Sequence, residues 1–257
     1  MKVTVCELPN EPNALKNAWG HLVEHTKTKG SDFVLLPEMP FFRWLAHTRE
    51  VDTTQWEQAV KAHEAWILRL TELAPATVAS TRPVLLDGRR QNVAYIWELD
   101  RGVRTIHAKY YLPDEPGFWE ASWYERGDGD FSLVDTTTGK IGFLICTELW
   151  FNFRARAYAK QGMQLLLCPR ATPNPTAPKW VAGGQAAAVV SGAFCLSSNL
   201  ASTTPEGGDY AGVGWIIEPG EGKVLGLTSA EQPFLTIDID LEEANRAKKT
   251  YPRYVLD

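Results

Sequence analysis

The chain has 257 residues, 44% of them hydrophobic, with a formal net charge of −5. That apolar share excludes a disordered chain, and the acidic balance, with no lysine or arginine run, excludes the electrostatic footprint of a nucleic-acid binder. The longest apolar runs, such as Ile141 to Cys146, are too short to span a bilayer. The N-terminus turns acidic at once and lacks a signal-peptide stretch, so a cytoplasmic protein without membrane partners is expected. The four cysteines, at positions 6, 146, 168 and 195, contain no CxxC pair. They point to reduced thiols rather than to zinc or a disulfide framework.

In chain order, Lys2 to Cys6 reads as a strand and Asn13 to Lys29 as a helix with Ala14, Ala18, Leu22 and Val23 on one side and Gly30 as its stop. Asp32 to Leu36 reads as a buried strand. Thr54 to Leu73 reads as a second helix, carrying Trp56, Ala59, Val60, His63, Ile67 and Leu70. Ala76 to Ser80 returns as a strand. Gln91 to Leu99 and Gly102 to Tyr111 form a predicted hairpin, as do Phe131 to Asp135 and Lys140 to Cys146. A helix over Phe153 to Gln161, a strand over Gln164 to Cys168, a helix over Trp180 to Ser191 and a strand over Ala193 to Ser197 follow. Val213 to Glu218 and Lys223 to Leu227 predict a last hairpin, and Phe234 to Ile239 a last strand. Pro173 to Pro178 and Thr203 to Gly208 read as surface loops. Strand–helix units separated by hairpins predict an α/β fold, and the absence of any linker predicts one domain over 1–257.

Three apolar strands each run into a residue with chemistry to offer. Phe33 to Pro37 delivers Glu38, Val103 to Ala108 delivers Lys109, and Ile141 to Ile145 delivers Cys146. Sites in α/β sheets gather at the carboxyl ends of strands, so a carboxylate, an amine and a thiol are expected to meet in one crevice. A thiol needs a base to become a good nucleophile, and a desolvated glutamate can serve. A tetrahedral oxyanion needs a cation and an N–H, which a lysine and the backbone supply. Taken singly, each residue has a plainer reading: a packed thiol, a loop carboxylate, a solvated amine.

Together and in this order, the segments Leu35-Leu36-Pro37-Glu38, His107-Ala108-Lys109-Tyr110-Tyr111-Leu112-Pro113 and Lys140 to Glu148 resemble the Glu-Lys-Cys signatures of the nitrilase (carbon–nitrogen hydrolase) superfamily. The likeness continues through Arg154 to Gly162, Leu165 to Pro169, Gly183 to Asn199 and Pro219-Gly220-Glu221-Gly222. It implies a four-layer αββα sandwich that forms a homodimer or a higher homo-oligomer. It also implies a hydrolase free of metal and cofactor, with Cys146 as nucleophile, Glu38 as base, and Lys109 with the N–H of Thr147 as oxyanion holders. The stretch Gly117 to Asp128 is similar to the segment that carries a second glutamate in carbamoyl-hydrolysing members, and it selects Glu120 over Glu115 or Glu125.

The residue after the nucleophile is Thr147, and Leu149 stands where true nitrilases carry a polar residue. The resemblance therefore favours hydrolysis of a small amide or N-carbamoyl compound through a cysteine thioester, with release of ammonia. The alternatives are a nitrilase and a non-catalytic binding member of the fold. Substrate is expected to meet Phe42, Trp119 and Trp150, with Arg170 and Thr172 on the crevice rim and Arg170 able to clamp a carboxylate. Asn199 is a further rim candidate, and Cys168 a candidate for the pocket wall. His107 is expected to support the site rather than to react, and Cys6 and Cys195 to lie in the core.

Overall fold

The computed structural model describes residues 1–202 and 209–255. Its first half runs β1 (Lys2–Leu8), α1 (Pro12–Lys29), β2 (Phe33–Leu35), α2 (Thr53–Ile67), β3 (Thr77–Leu86), β4 (Arg89–Glu98) and β5 (Gly102–Ala108). After the short α3 (Glu120–Trp123) come β6 (Val134–Thr136), β7 (Gly139–Phe143), α4 (Asn152–Lys160), β8 (Leu165–Arg170), α5 (Ala177–Ser191) and β9 (Phe194–Ser202). The chain closes with β10 (Tyr210–Ala211), β11 (Trp215–Ile217), β12 (Val224–Leu227), β13 (Phe234–Asp238) and α6 (Leu241–Ala247).

One sheet runs β5-β4-β3-β2-β1-β13 and the other β6-β7-β8-β9-β11-β12, with β10 added on β9. They join where Glu7 and Leu8 of β1 pair in parallel with Asn199 and Leu200 of β9. Strand side chains alternate between faces, and the central strands are apolar on both. Val3, Val5, Phe33, Leu35, Ala79, Ala94 and Ile96 turn inward to meet Ile141, Phe143, Leu165 and Leu167 of the second sheet. Cys6, Leu8, Val34, Val78, Tyr95 and Trp97 turn outward to pack with Leu15, Trp19 and Leu22 of α1. The helices α4 and α5 cover the far side of the second sheet: Tyr158 lies against Gly142 of β7, and Gly184 against Trp215 of β11. This is the αββα sandwich that the resemblance implies.

The helix ends follow local chemistry. Gly30 closes α1 at φ 64°, and the N–H of Ser31 reaches back to the carbonyl of Thr26 at 3.0 Å. Asp52 caps α2 by accepting from the N–H groups of Thr54 and Gln55. The predicted second helix is shorter than its apolar pattern: α2 stops at Ile67 and the chain tightens into a 3-10 helix over Leu68–Leu73. Pro178 opens α5 rather than closing a loop, because proline fits the first turn of a helix. The predicted loop at Thr203 to Gly208 lies outside the described residues.

Two prolines sit inside strands, and both are tolerated for the same reason. Beyond Ala79, β3 pairs only with β4, so Pro83 faces no second ladder. Beyond Leu167, β8 pairs only with β9, so Pro169 does not interrupt the ladder to β7.

Among the described residues no helix is long and apolar enough to cross a membrane. Gly142 has no room for a side chain: a Cβ there would lie 2.6 Å from the sulfur of Met163 and 3.1 Å from the Tyr158 ring. Gly142→Val is therefore expected to cost about 1–3 kcal/mol of stability through overpacking, read as a lower urea midpoint with an unchanged slope.

Candidate active site

The sheet topology brings three strand ends to one edge. The strands β1, β2 and β3 are mutually parallel, and β4 reverses direction so that β5 points the same way as β3. The strands β7, β8 and β9 are parallel to one another and, through the β1–β9 pair, to the first sheet. Glu38 beyond β2, Lys109 at the end of β5 and Cys146 beyond β7 thus emerge on the same side.

Glu38, Lys109 and Glu120 form a cluster with almost no solvent contact. The Lys109 ammonium donates to Glu38 Oε1 at 2.8 Å and lies 2.9 and 2.7 Å from the two oxygens of Glu120. Asn92 donates to the same Glu38 oxygen at 2.8 Å. Glu38 Oε2 has no hydrogen-bond partner among the described residues. The loop that carries Glu38 is pinned by Ser80 to the carbonyl of Pro37 and by Thr81 to the N–H of Met39.

Burial disfavours the charged form of each group, and the neighbours decide the balance. For Lys109, burial works against the ammonium, but the carboxylates of Glu120 and Glu38 outweigh it and hold its pKa well above the ordinary value. Burial pushes the Glu120 carboxyl up to about 8, against the pull of Lys109. A cluster of one ammonium and two carboxyls is neutral overall when Glu120 keeps its proton.

Cys146 is 3% exposed and its backbone is left-handed, at φ 47°. A non-glycine residue held there is strained, and it turns the chain from strand to helix. The 3-10 helix Cys146–Trp150 begins at once, and Thr147 follows the thiol as its half-buried second residue. Burial first, and then the Glu38 charge, push the thiol up to about 12, while Lys109 and the N–H of Ala171 pull the other way. The sulfur at rest is a thiol, whose proton a neighbouring base would have to take before it could react as a thiolate.

The remaining candidates divide. Trp119 is half-buried beside Glu120, with the Arg49 guanidinium 4.2 Å above its ring. Phe42 packs on the cluster of Met39, Trp44 and Tyr210, and lines a separate cavity of about 570 Å³ with Leu15, Phe41 and Trp66. Trp150 lies against α5, its ring 4.9 Å from that of Trp180.

Arg170 departs from the expectation. It belongs to β8 and is fully buried rather than on a rim. Its guanidinium donates to Ser197, Thr172 and the carbonyl of Val213, and stacks 4.1 Å from Trp215. Those bonds commit its nitrogens to the fold, so it is not placed to clamp a substrate carboxylate. Thr172 and Asn199 likewise bond to each other and are buried. Cys168 is wholly buried with its thiol 4.0 Å from the carbonyl oxygen of Cys146, behind that residue rather than in an open wall. Cys6 and Cys195 lie in the core, and none of the four cysteines forms a disulfide.

Sequence reasoning missed Asn92 and the buried phenols of Tyr124 and Tyr210. Burial first, and then the charges of the Glu38 cluster, raise both phenols above their usual range. No motif marks such residues; the pairing of β4 beside β5 and the return of β10 to β9 place them. Among the described residues no group of three or more histidine, cysteine or acidic side chains is arranged to hold a metal.

Residues 2–249 match the carbon-nitrogen hydrolase family. The chain belongs to that family. It is 26% identical to a citrullinase of Francisella tularensis over 178 residues, covering 66% of this chain and 61% of that protein. It is 29% identical to an N-carbamoylputrescine amidase of Arabidopsis thaliana over 58% of this chain and 51% of that one, and 28% identical to an omega-amidase of Mus musculus over 90% and 84%. The match to the first two thus spans only about half to three-fifths of their lengths. A carbon-nitrogen hydrolase structure from Helicobacter pylori superposes with a TM-score of 0.87 at 19% identity, covering 98% of this chain and 94% of that one. The shared fold is that of this hydrolase family.

Because Glu38 raises the Cys146 pKa and Lys109 lowers it, neutralising each moves the thiol oppositely. Glu38→Gln is expected to speed iodoacetamide alkylation of Cys146 at pH 9, and Lys109→Met to slow it. Alkylation rates measured across pH 7–11 in each variant check both signs.

Proposed function

We propose that this carbon-nitrogen hydrolase cleaves a non-peptide C–N bond of a small N-carbamoyl compound or primary amide through a Cys146 thioester, releasing ammonia. The observation that carries the reading is the buried ammonium of Lys109 shared between Glu38 and Glu120 beside a thiol on a strained turn. The citrullinase and N-carbamoylputrescine amidase relatives support the carbamoyl form, and the omega-amidase relative supports the amide form.

In this reading Glu38 uses its unpartnered oxygen to take the Cys146 proton while the sulfur attacks the carbonyl carbon. The developing oxyanion is held by the Lys109 ammonium and the N–H of Thr147. Glu38 then protonates the leaving nitrogen, the C–N bond breaks and ammonia departs. Water, losing a proton to Glu38, attacks the thioester carbon, and the sulfur leaves and recovers its proton. An amide yields a carboxylic acid. An N-carbamoyl compound yields a carbamic acid that falls apart to an amine and carbon dioxide.

Glu120 holds Lys109 against Glu38 and orients the nitrogen of the substrate. Trp119, Phe42 and Trp150 are the aromatic candidates for walls against the rest of the substrate. A homodimer or higher assembly in the cytoplasm remains part of the proposal.

The test is ammonia release from panels of N-carbamoyl compounds, primary amides and nitriles, with carbon dioxide measured in parallel. Turnover of the first two panels, with carbon dioxide from the carbamoyl panel alone, is expected; nitrile turnover would favour the nitrilase alternative instead. Cys146→Ala is expected to lower the rate by at least about 10⁴-fold with an unchanged circular dichroism spectrum. Retained turnover in that variant would refute the thioester, and inactivity of the unaltered chain on all panels would favour a binding protein.

A further inference from the structure

The sheet pairing leaves Lys109 and Cys146 far apart along the ladder. The strand β5 is the outer strand of one sheet, and β7 is next to the outer strand of the other. Their two strand ends meet across the sandwich at one fully buried carboxylate, Glu148. Its Oε1 accepts the N–H of Tyr110, the residue after Lys109, at 2.8 Å. Its Oε2 accepts the N–H of Ile145, the residue before Cys146, at 2.8 Å. His107 Nε2 reaches both oxygens, at 3.1 and 2.9 Å.

The other ring nitrogen of His107 faces the carbonyl of Asp130 at 2.9 Å. A carboxylate and a carbonyl only accept, so both ring nitrogens must donate, which makes the ring an imidazolium. We propose that Glu148 and His107 are positioning residues, a buried charged pair that locks the lysine strand and the cysteine turn in register for catalysis. The inference rests on the hydrolase reading above and adds the device that holds its parts together.

The surroundings fit a retained charge. Asp128 and Glu148 face the imidazolium, the Phe131 ring lies tilted with its centroid 4.6 Å from it, and the Arg154 guanidinium lies 4.1 Å from the Phe131 ring. Tyr158 faces Glu148 from α4. Burial works against the charged imidazole, but Glu148, Asp130 and Asp128 outweigh it and raise its pKa.

In Glu148→Gln the side-chain amide must turn a donor towards at least one of the N–H groups now served. With the two strand ends loosened, kcat is expected to fall about 100-fold while KM stays within about threefold, the signature of misplaced reacting groups rather than lost binding. Titration of active centres removes any inactive fraction from that figure, and Glu148→Asp, which keeps the charge, is expected to recover part of the loss. The unaltered chain is expected to lose kcat/KM on the alkaline side as His107 gives up its proton, a limb that His107→Gln lacks.

Two readouts need no substrate. Cys146 alkylation at pH 8 is expected to slow in Glu148→Gln because Lys109 no longer steadies the thiolate. Nitrogen-15 spectra of the unaltered chain at pH 7 are expected to show both His107 ring nitrogens protonated. A neutral His107 at pH 7, or kcat and alkylation rates in Glu148→Gln within threefold of the unaltered chain, would overturn the proposal. If Glu148→Gln fails to fold, the nitrogen spectra and His107→Gln decide it. If no substrate is turned over, the hydrolase reading fails, while alkylation and the spectra still judge the pair.

Discussion

A single ammonium out of reach of water organises this molecule. Removing Lys109 from solvent is costly, and the cost is met only because Glu38 and Glu120 stand within 2.9 Å of it. Taking Lys109 away leaves the buried carboxyls without their partner, and breaking a buried pair in this way costs about 3–5 kcal/mol in typical proteins. The cluster is therefore a demanding feature, and much of the surrounding fold serves it. Ser80 and Thr81 of β3 pin the Glu38 loop, Asn92 of β4 donates to the Glu38 oxygen that Lys109 also holds, and β5 ends where Lys109 must begin.

The thiol is held differently, by backbone shape. Beyond β7, Leu144 and Ile145 lead to a left-handed Cys146, which turns the chain into a 3-10 helix. Met39, just after Glu38, is also left-handed, at φ 43°. The packed sandwich sustains the strain at these two residues, which lie at the candidate site. Burial raises the pKa of the Cys146 thiol, so in the proposed reaction a base beside it has to take its proton.

Much of the architecture was readable because the central strands are buried on both faces and so appear as unbroken apolar runs. Glu38 and Cys146 were legible as polar residues ending such runs, whereas Lys109 ends the partly exposed outer strand β5, and the order of the three carried the family likeness. Arg170 lies past the apolar run that ends at Cys168, so the sequence alone places it beyond the strand. The ladder to β9 continues past Pro169 and carries the guanidinium into the interior. The helix α6 left little apolar periodicity: its marks are the Asp240 cap, Glu242 and Glu243 in the first turn and Arg246 in the last. The link from Glu148 to both strand ends was invisible, since no one-dimensional pattern records a contact between β5 and the end of β7.

The account stands or falls on whether Cys146 becomes covalently attached to substrate in the company of that ammonium. The most direct measurement is acid quenching during steady turnover, followed by peptide mass mapping of all four cysteines. The account predicts an added acyl or carbamoyl mass on Cys146 alone, absent from Lys109→Met treated in the same way. An unmodified Cys146 under full turnover, or an adduct carried by Cys168 instead, would contradict it.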